Sequence, residues 1–147
     1  MELGWVAAAG VERVKVRFVT AAEIKGGAFS VESPDFGPLL ARIRDRVSNL
    51  AWLYGGERRA VGDRALEYRA LSLAAGRVFT VRSDLREVRE QRTSQRSGQT
   101  HWLGGLMGDV EYGGELAAFV PWLEAARWTG VGRQTVWGKG EMETLVL

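Results

Sequence analysis

The chain has 147 residues, 46% of them apolar and 26% charged, with a net charge of +2, one histidine and no cysteine. These values suit one globular domain spanning 1–147 rather than a disordered chain, and the absence of cysteine excludes a disulfide frame and any thiolate-based zinc site or nucleophile. No stretch reaches the roughly 18 uninterrupted apolar residues of a membrane span, and the first residues lack a signal peptide's basic flank and apolar run, so a soluble cytoplasmic protein with no membrane partner is expected.

In chain order, ERVKVRFVT (12–20) alternates, with Val14, Val16 and Phe18 on one side and Arg13, Lys15 and Arg17 on the other, the pattern of a half-buried strand. Ser33 and Asp35 around Pro34 then supply helix-start chemistry. The helix that follows carries Phe36, Leu39, Leu40, Ile43, Val47, Leu50 and Tyr54 at helical spacing and stops at Gly55 and Gly56. A second helical stretch, about 63–75, has weaker periodicity and reads as an accessory helix. Residues 78–96 have strand character at both ends, with a helix through SDLREVRE (83–90) as the competitor. SQRSGQ (94–99) reads as a turn into a glycine-containing strand, HWLGGLMGDVEYGG (101–114), which makes the pair a hairpin. In ELAAFVPWLEAARW (115–128), Leu116, Phe119, Val120 and Leu123 share a helical face, and Pro121 predicts that this helix begins late or bends. QTVWGKGEMETLVL (134–147) alternates again, placing Val136, Met142, Thr144 and Val146 on one side.

Apart from the accessory helix, the order is βαββαβ. That predicts an α+β, ferredoxin-like (RRM-like) fold, an antiparallel sheet of four strands with helices on one face and the other face open. Arg13, Lys15 and Arg17 are then expected on the open face, because Val14, Val16 and Phe18 are needed beneath the helices.

Charge is unevenly placed. Seventeen of the twenty basic residues are arginine, and two stretches without acids, 91–108 and 125–140, hold Arg92, Arg96 and His101 in one and Arg127, Arg133 and Lys139 in the other. Two basic, glycine-containing stretches form one anion-facing surface if they meet in space. In GVGRQTVWGKG (130–140), successive N–H groups can turn toward one anion; Arg133 and Lys139 add charge, Thr135 a donor and Trp137 a stacking face. The segment follows a helix and enters a strand, opposite to the dinucleotide-binding turn, and it lacks the P-loop's lysine-serine or lysine-threonine pair. On composition alone, a tight structural turn fits as well as a binding loop. Asp109, Glu111 and Glu115 cluster without histidine support and read as a solvated edge rather than a metal site. Tyr54 and Tyr112 read as packing residues, and the tryptophans mostly as core, with Trp102 and Trp137 beside basic loops.

Residues 104–140, GGLMGDVEYGGELAAFVPWLEAARWTGVGRQTVWGKG, resemble the C-terminal signature of the CRISPR-associated endoribonucleases that process precursor CRISPR RNA, members of the RAMP superfamily. Gly105, Gly108, Tyr112 and Gly114 match the family's glycine-containing strand, and Phe119, Pro121 and Leu123 its helix. Gly130, Gly132, Thr135, Gly138 and Gly140 match its glycine-rich loop, with Arg133 at a usual lysine and Trp137 at a common phenylalanine. VRFVTAAEIKGG (16–27) is similar to the family's first strand and TSQRSGQ (93–99) to its basic hairpin.

The resemblance implies an RNA-binding domain in which Gly130, Gly132, Arg133, Thr135, Gly138, Lys139 and Gly140 hold RNA, with Arg92 and Arg96 adding phosphate contacts from the hairpin. It also implies cleavage by attack of a ribose 2′-OH on the adjacent phosphate, with no metal or other cofactor. Family proteins usually carry two tandem ferredoxin-like halves, and the catalytic histidine generally lies in the first; this chain matches the second. His101, the conventional acid–base candidate with an ordinary pKa near ~6.5, lies away from that catalytic position, and an RNA contact or an incidental surface residue are its other readings. The implied partners are CRISPR repeat RNA and an N-terminal ferredoxin-like half, a CRISPR effector complex or a second copy of the chain. Two other functions fit the same residues: a noncatalytic RNA-binding subunit, and a small-anion-binding ferredoxin-like module.

Overall fold

The computed structural model describes residues 10–24, 29–55, 61–93, 96, 98, 100–132 and 140–147. Its elements run β1 (Arg13–Ala22), α1 (Phe36–Gly55), α2 (Val61–Ala75), β2 (Phe79–Thr93), β3 (Thr100–Gly113), a 3-10 turn at Ala117–Phe119, α3 (Val120–Thr129) and β4 (Met142–Val146). The sheet order is β2-β3-β1-β4, and each neighbouring pair is antiparallel. This is the ferredoxin-like α+β arrangement the element order predicts, with α2 as the accessory helix between α1 and β2.

Alternation on β1 decides the layering. Val14, Val16 and Phe18 are fully buried, while Arg13 and Arg17 are exposed on the opposite side. In register with them, Val16 lies between Val110 of β3 and Thr144 of β4, and Phe18 lies beside Met142. Above this face pack Phe36, Leu39, Leu40 and Ile43 of α1, whose spacing makes one apolar stripe, and Leu123 and Ala126 of α3. Burying each large apolar side chain stabilises the fold by about 1.5–3 kcal/mol, so this single cluster dominates the energetics. Pro38 sits in the first turn of α1, where its missing N–H has no helical partner to lose.

Tyr112 ties the layers together. Its ring meets Phe36 edge-on at 5.0 Å, and Phe36 meets Phe119 at 5.1 Å. Its buried hydroxyl donates to the Pro34 carbonyl at 2.7 Å, and burial pushes its pKa upward, so the phenol stays protonated. Tyr112 is a packing residue, as its sequence context predicts. The side chain of Tyr54 lies outside the described residues.

Two ambiguities resolve. SDLREVRE is strand: it carries too few apolar residues for a helix stripe, and a continuous ladder from Arg82 opposite Glu111 to Thr93 opposite Thr100 satisfies its backbone. The last helix does begin late. A 3-10 turn ends at Phe119, and Pro121 occupies the first turn of α3, while Leu116, Phe119, Val120 and Leu123 are all buried. The final strand is shorter than its alternation suggests, starting at Met142; Val136 lies outside the described residues. The accessory helix α2 packs Leu71, Ala74 and the buried Ala75 against the core and adds polar contacts: Arg44 lies 4.7 Å over the Tyr68 ring and donates to Ser72 Oγ at 3.2 Å, and the Tyr68 and Ser48 hydroxyls pair. Among the described residues, no helix is long and apolar enough to cross a membrane.

Candidate nucleic-acid interface

The glycine-rich segment rises from a pinned neck. The Val131 N–H donates to the Gly140 carbonyl at 2.9 Å, and the Gly140 N–H donates to the Ala21 carbonyl at 3.0 Å, so the two ends of the segment are tied to each other and the Gly140 end to the end of β1. Val131 is fully buried there. Glycine is required at two neck positions. Gly140 has φ +75°, and a Cβ would lie 1.9 Å from the Val131 carbonyl oxygen; Gly132 has φ +87°, and a Cβ would lie 2.4 Å from the Glu23 carbonyl oxygen. The Gly130 N–H closes α3 on the Ala126 carbonyl at 2.9 Å. The amides of Gly130 and Gly140 therefore bond within the protein. Arg133, Thr135, Trp137, Gly138 and Lys139 lie outside the described residues.

The hairpin reaches the same end of the sheet. The pairing of β1 with β3 ends at Ala22 opposite Leu106, whereas β2 and β3 continue from Val88 opposite Gly105 to Thr93 opposite Thr100. At about 3.3 Å per residue, that continuation overhangs β1 by roughly 20 Å. Arg92 stands opposite His101 within it, and Arg96 is exposed in the turn; nothing further is described of the Arg92 and His101 side chains. The base of the overhang, the end of β1 and residues 29–30 line an open pocket of about 290 Å³ that includes Glu23, Ser30, Glu87, Arg89 and Gly105. Its lining is of mixed charge.

The open sheet face carries Arg13, Lys15 and Arg17, as expected, but it is not a uniformly basic platform. Arg17 opposes Asp109 across β1 and β3; its Nε donates to Oδ1 at 2.8 Å and its second nitrogen to Oδ2 at 3.2 Å. That hydrogen bond holds the Asp109 carboxyl below the usual carboxylate range, with Lys15 contributing in the same direction, and it raises the Arg17 pKa. Arg13 reaches Glu111 at 3.7 Å. Asp109 and Glu111, read as a solvated edge, are thus the cross-strand partners of the β1 arginines, while Glu115 is exposed elsewhere.

One aromatic residue departs from its sequence reading. Trp128, in the last turn of α3, is 84% exposed rather than core, and the Arg127 guanidinium lies 5.7 Å from its ring centre. Angular position carries the missed signal: at about 100° per residue, Trp128 falls some 140° from Leu123, off the stripe formed by Val120, Leu123 and Ala126.

Several solved structures share this fold. The chain is similar to the Cas6 of Thermus thermophilus (TTHB231), with a TM-score of 0.65 at 17% identity over 91% of this chain and 53% of that one. A structure of a TTHB231 product complex gives a TM-score of 0.60 at 16% identity, over 91% of this chain and 51% of that one. A partial Cas6-RT-Cas1–Cas2 complex gives 0.62 at 16% identity, over 96% of this chain and 24% of that one. At these identities the likeness is one of fold, and the chain spans about half the length of the Cas6 structures it matches first. No curated protein matches the sequence significantly. The profile of the CRISPR-associated endoribonuclease Cas6 matches residues 16–142, from within β1 to the start of β4, and the chain therefore belongs to the Cas6 family.

Proposed function

We propose that residues 1–147 form one domain corresponding to the C-terminal half of a precursor-CRISPR-RNA endoribonuclease, and that this domain binds CRISPR repeat RNA in the cytoplasm as part of antiviral defence. The observation that carries the reading is the convergence of the loop neck at Gly132 and Gly140 with the overhanging hairpin at one end of the sheet. Arg133, Thr135 and Lys139 contact the RNA backbone from the loop, and Arg92 and Arg96 contact it from the hairpin. Gly130, Gly132, Gly138 and Gly140 shape the loop so that ribose-phosphate approaches closely.

Cleavage follows from attack of a ribose 2′-OH on the adjacent phosphate, which leaves a 2′,3′-cyclic phosphate and needs no metal. It requires in-line positioning, a general base, a general acid and positive charge at the phosphorane. The chain spans about half of the Cas6 structures it matches, and in this reading a further ferredoxin-like half or a second copy supplies catalytic groups. Cleavage in chelator, lost in His101→Ala, would instead make this chain an enzyme by itself.

Binding of repeat RNA at two salt concentrations tests the reading. Each lost phosphate contact lowers the logarithmic salt slope by about 0.7 on a single strand, so Arg133→Ala with Lys139→Ala is expected to lower it by about 1.4 and to weaken binding across sequences. Unchanged affinity and slope overturn the loop assignment. Absence of RNA affinity in the wild-type chain leaves the small-anion module as the reading.

A further inference from the structure

The rim of the sheet beside α3 holds a second feature that the loop and hairpin do not use. Between β1, the β4 edge and the last turn of α3 lies an open cleft of about 310 Å³ lined by Lys15, Arg17, Arg127, Glu143, Thr144 and Leu145. Arg17 is held by Asp109 and lies near Glu143, which raises its pKa further. Among the described residues neither Lys15 nor Arg127 makes an ion pair, so the cleft retains positive charge on those two side chains. Arg127 also offsets the negative end of the α3 dipole, which would otherwise repel an anion there. Leu145, 58% exposed, gives the cleft an apolar wall.

Trp128 stands next to this charge. A tryptophan 84% exposed leaves a large apolar area in water, and its ring lies beside a guanidinium. A basic groove with an exposed aromatic face is the combination that binds single-stranded nucleic acid, the cations following the phosphates and the ring stacking a base whatever its identity. Gly130 and the pinned loop neck begin two residues beyond Trp128, so a strand leaving the loop meets the cleft next.

We propose that this cleft is a second RNA contact, in which Trp128 stacks an unpaired base and Lys15 and Arg127 bind the adjoining phosphates. The proposal rests on the RNA-binding reading above and extends the RNA path from the loop along the β4 edge. Its ligand is a single-stranded ribonucleotide segment without sequence preference at this point. The exposed Leu145, Val146 and Leu147 of the same edge suit a protein surface instead, and that alternative is separated by experiment.

The test uses the full chain, end-labelled repeat RNA and a single-stranded oligouridylate. Stacking contributes about 1–3 kcal/mol per base, so Trp128→Ala is expected to weaken binding of both RNAs roughly 5- to 150-fold with little change in salt slope, and Trp128→Phe to recover most of the loss. Lys15→Ala with Arg127→Ala is expected to lower the slope by about 1.4. Photocrosslinking of 4-thiouridine-substituted RNA should mark Trp128. Unchanged affinity in Trp128→Ala, with affinity still lost in Arg133→Ala plus Lys139→Ala, overturns the cleft and leaves the functional reading standing. Loss in Trp128→Ala but not in the loop variant supports the cleft and removes the loop. A Trp128→Ala variant that alters the sedimenting mass while leaving RNA affinity intact assigns the edge to a protein partner and overturns the proposal, and a wild-type chain that binds neither RNA overturns both.

Discussion

On β1, neighbouring side chains meet opposite surroundings. Val14, Val16 and Phe18 disappear beneath α1 and α3, whereas Arg13, Lys15 and Arg17 enter a surface where acids from β3 and β4 alternate with them. The buried side follows from local period alone, because one apolar residue in every two must face the helices. The open side does not, because its partners come from distant parts of the chain. Arg17 and Asp109 are 92 residues apart in sequence. A row of cations read from one strand therefore overstates the positive field of the finished sheet, and RNA is expected to take its main contacts at the loop, the hairpin and the β4 edge.

That contrast breaks most easily at Phe18. Phe18→Ala removes a fully buried ring that packs edge-on against Phe29 at 5.9 Å, and is expected to cost about 3–5 kcal/mol in urea unfolding. Lys15→Ala, three positions away on the open side, is expected to stay within about 0.5 kcal/mol. Comparable losses in the two variants would mean that the open face is as tightly packed as the covered one. A smaller effect sharpens the covered side: Tyr112→Phe keeps the ring but leaves the Pro34 carbonyl without its donor, an expected loss of about 1–2 kcal/mol. No loss would show that the ring alone, and not the hydroxyl, fastens the segment before α1.

Much of this fold is legible before any coordinates. The period-2 run on β1, the helical stripe of α1 and Pro121 at the start of α3 each state their element locally, and the order βαββαβ then leaves few topologies. The helix–strand ambiguity at 83–90 is hard to settle locally: Leu85 and Val88, three apart, fit a helical turn and fall on opposite faces of a strand, yet two residues are too few for a helix stripe, and the ladder with β3 decides for strand. At the candidate site, the glycine-rich segment announces an unusual backbone, but composition does not separate glycines that meet a ligand from those that meet the protein. Gly140 is of the second kind, pressed against Val131. Trp128 is hidden for a different reason: large aromatics are core residues so often that residue type masks its angle off the apolar stripe.

The smallest expected effect concerns the open face itself. The Arg17–Asp109 pair is largely solvated, with side chains 56% and 31% exposed, so its contribution is modest and salt-sensitive. Its pH dependence has a definite sign. Asp109 is held below its ordinary range by the Arg17 hydrogen bond, so the stabilisation is present above the unfolded carboxylate value, about 3.9, and is lost as pH falls through the lower native value. The raised Arg17 pKa adds nothing in this window, because the guanidinium stays charged in both states. Urea unfolding of the wild type and of Asp109→Asn is therefore expected to differ slightly at neutral pH, to differ less at high salt, and to converge in strong acid. In RNA binding the same variant moves the opposite way. Removing the acid frees Arg17 beside the Lys15 cleft, so Asp109→Asn is expected to tighten RNA binding while loosening the fold, and an affinity that stays constant would mean that the open face contributes no field to the RNA path.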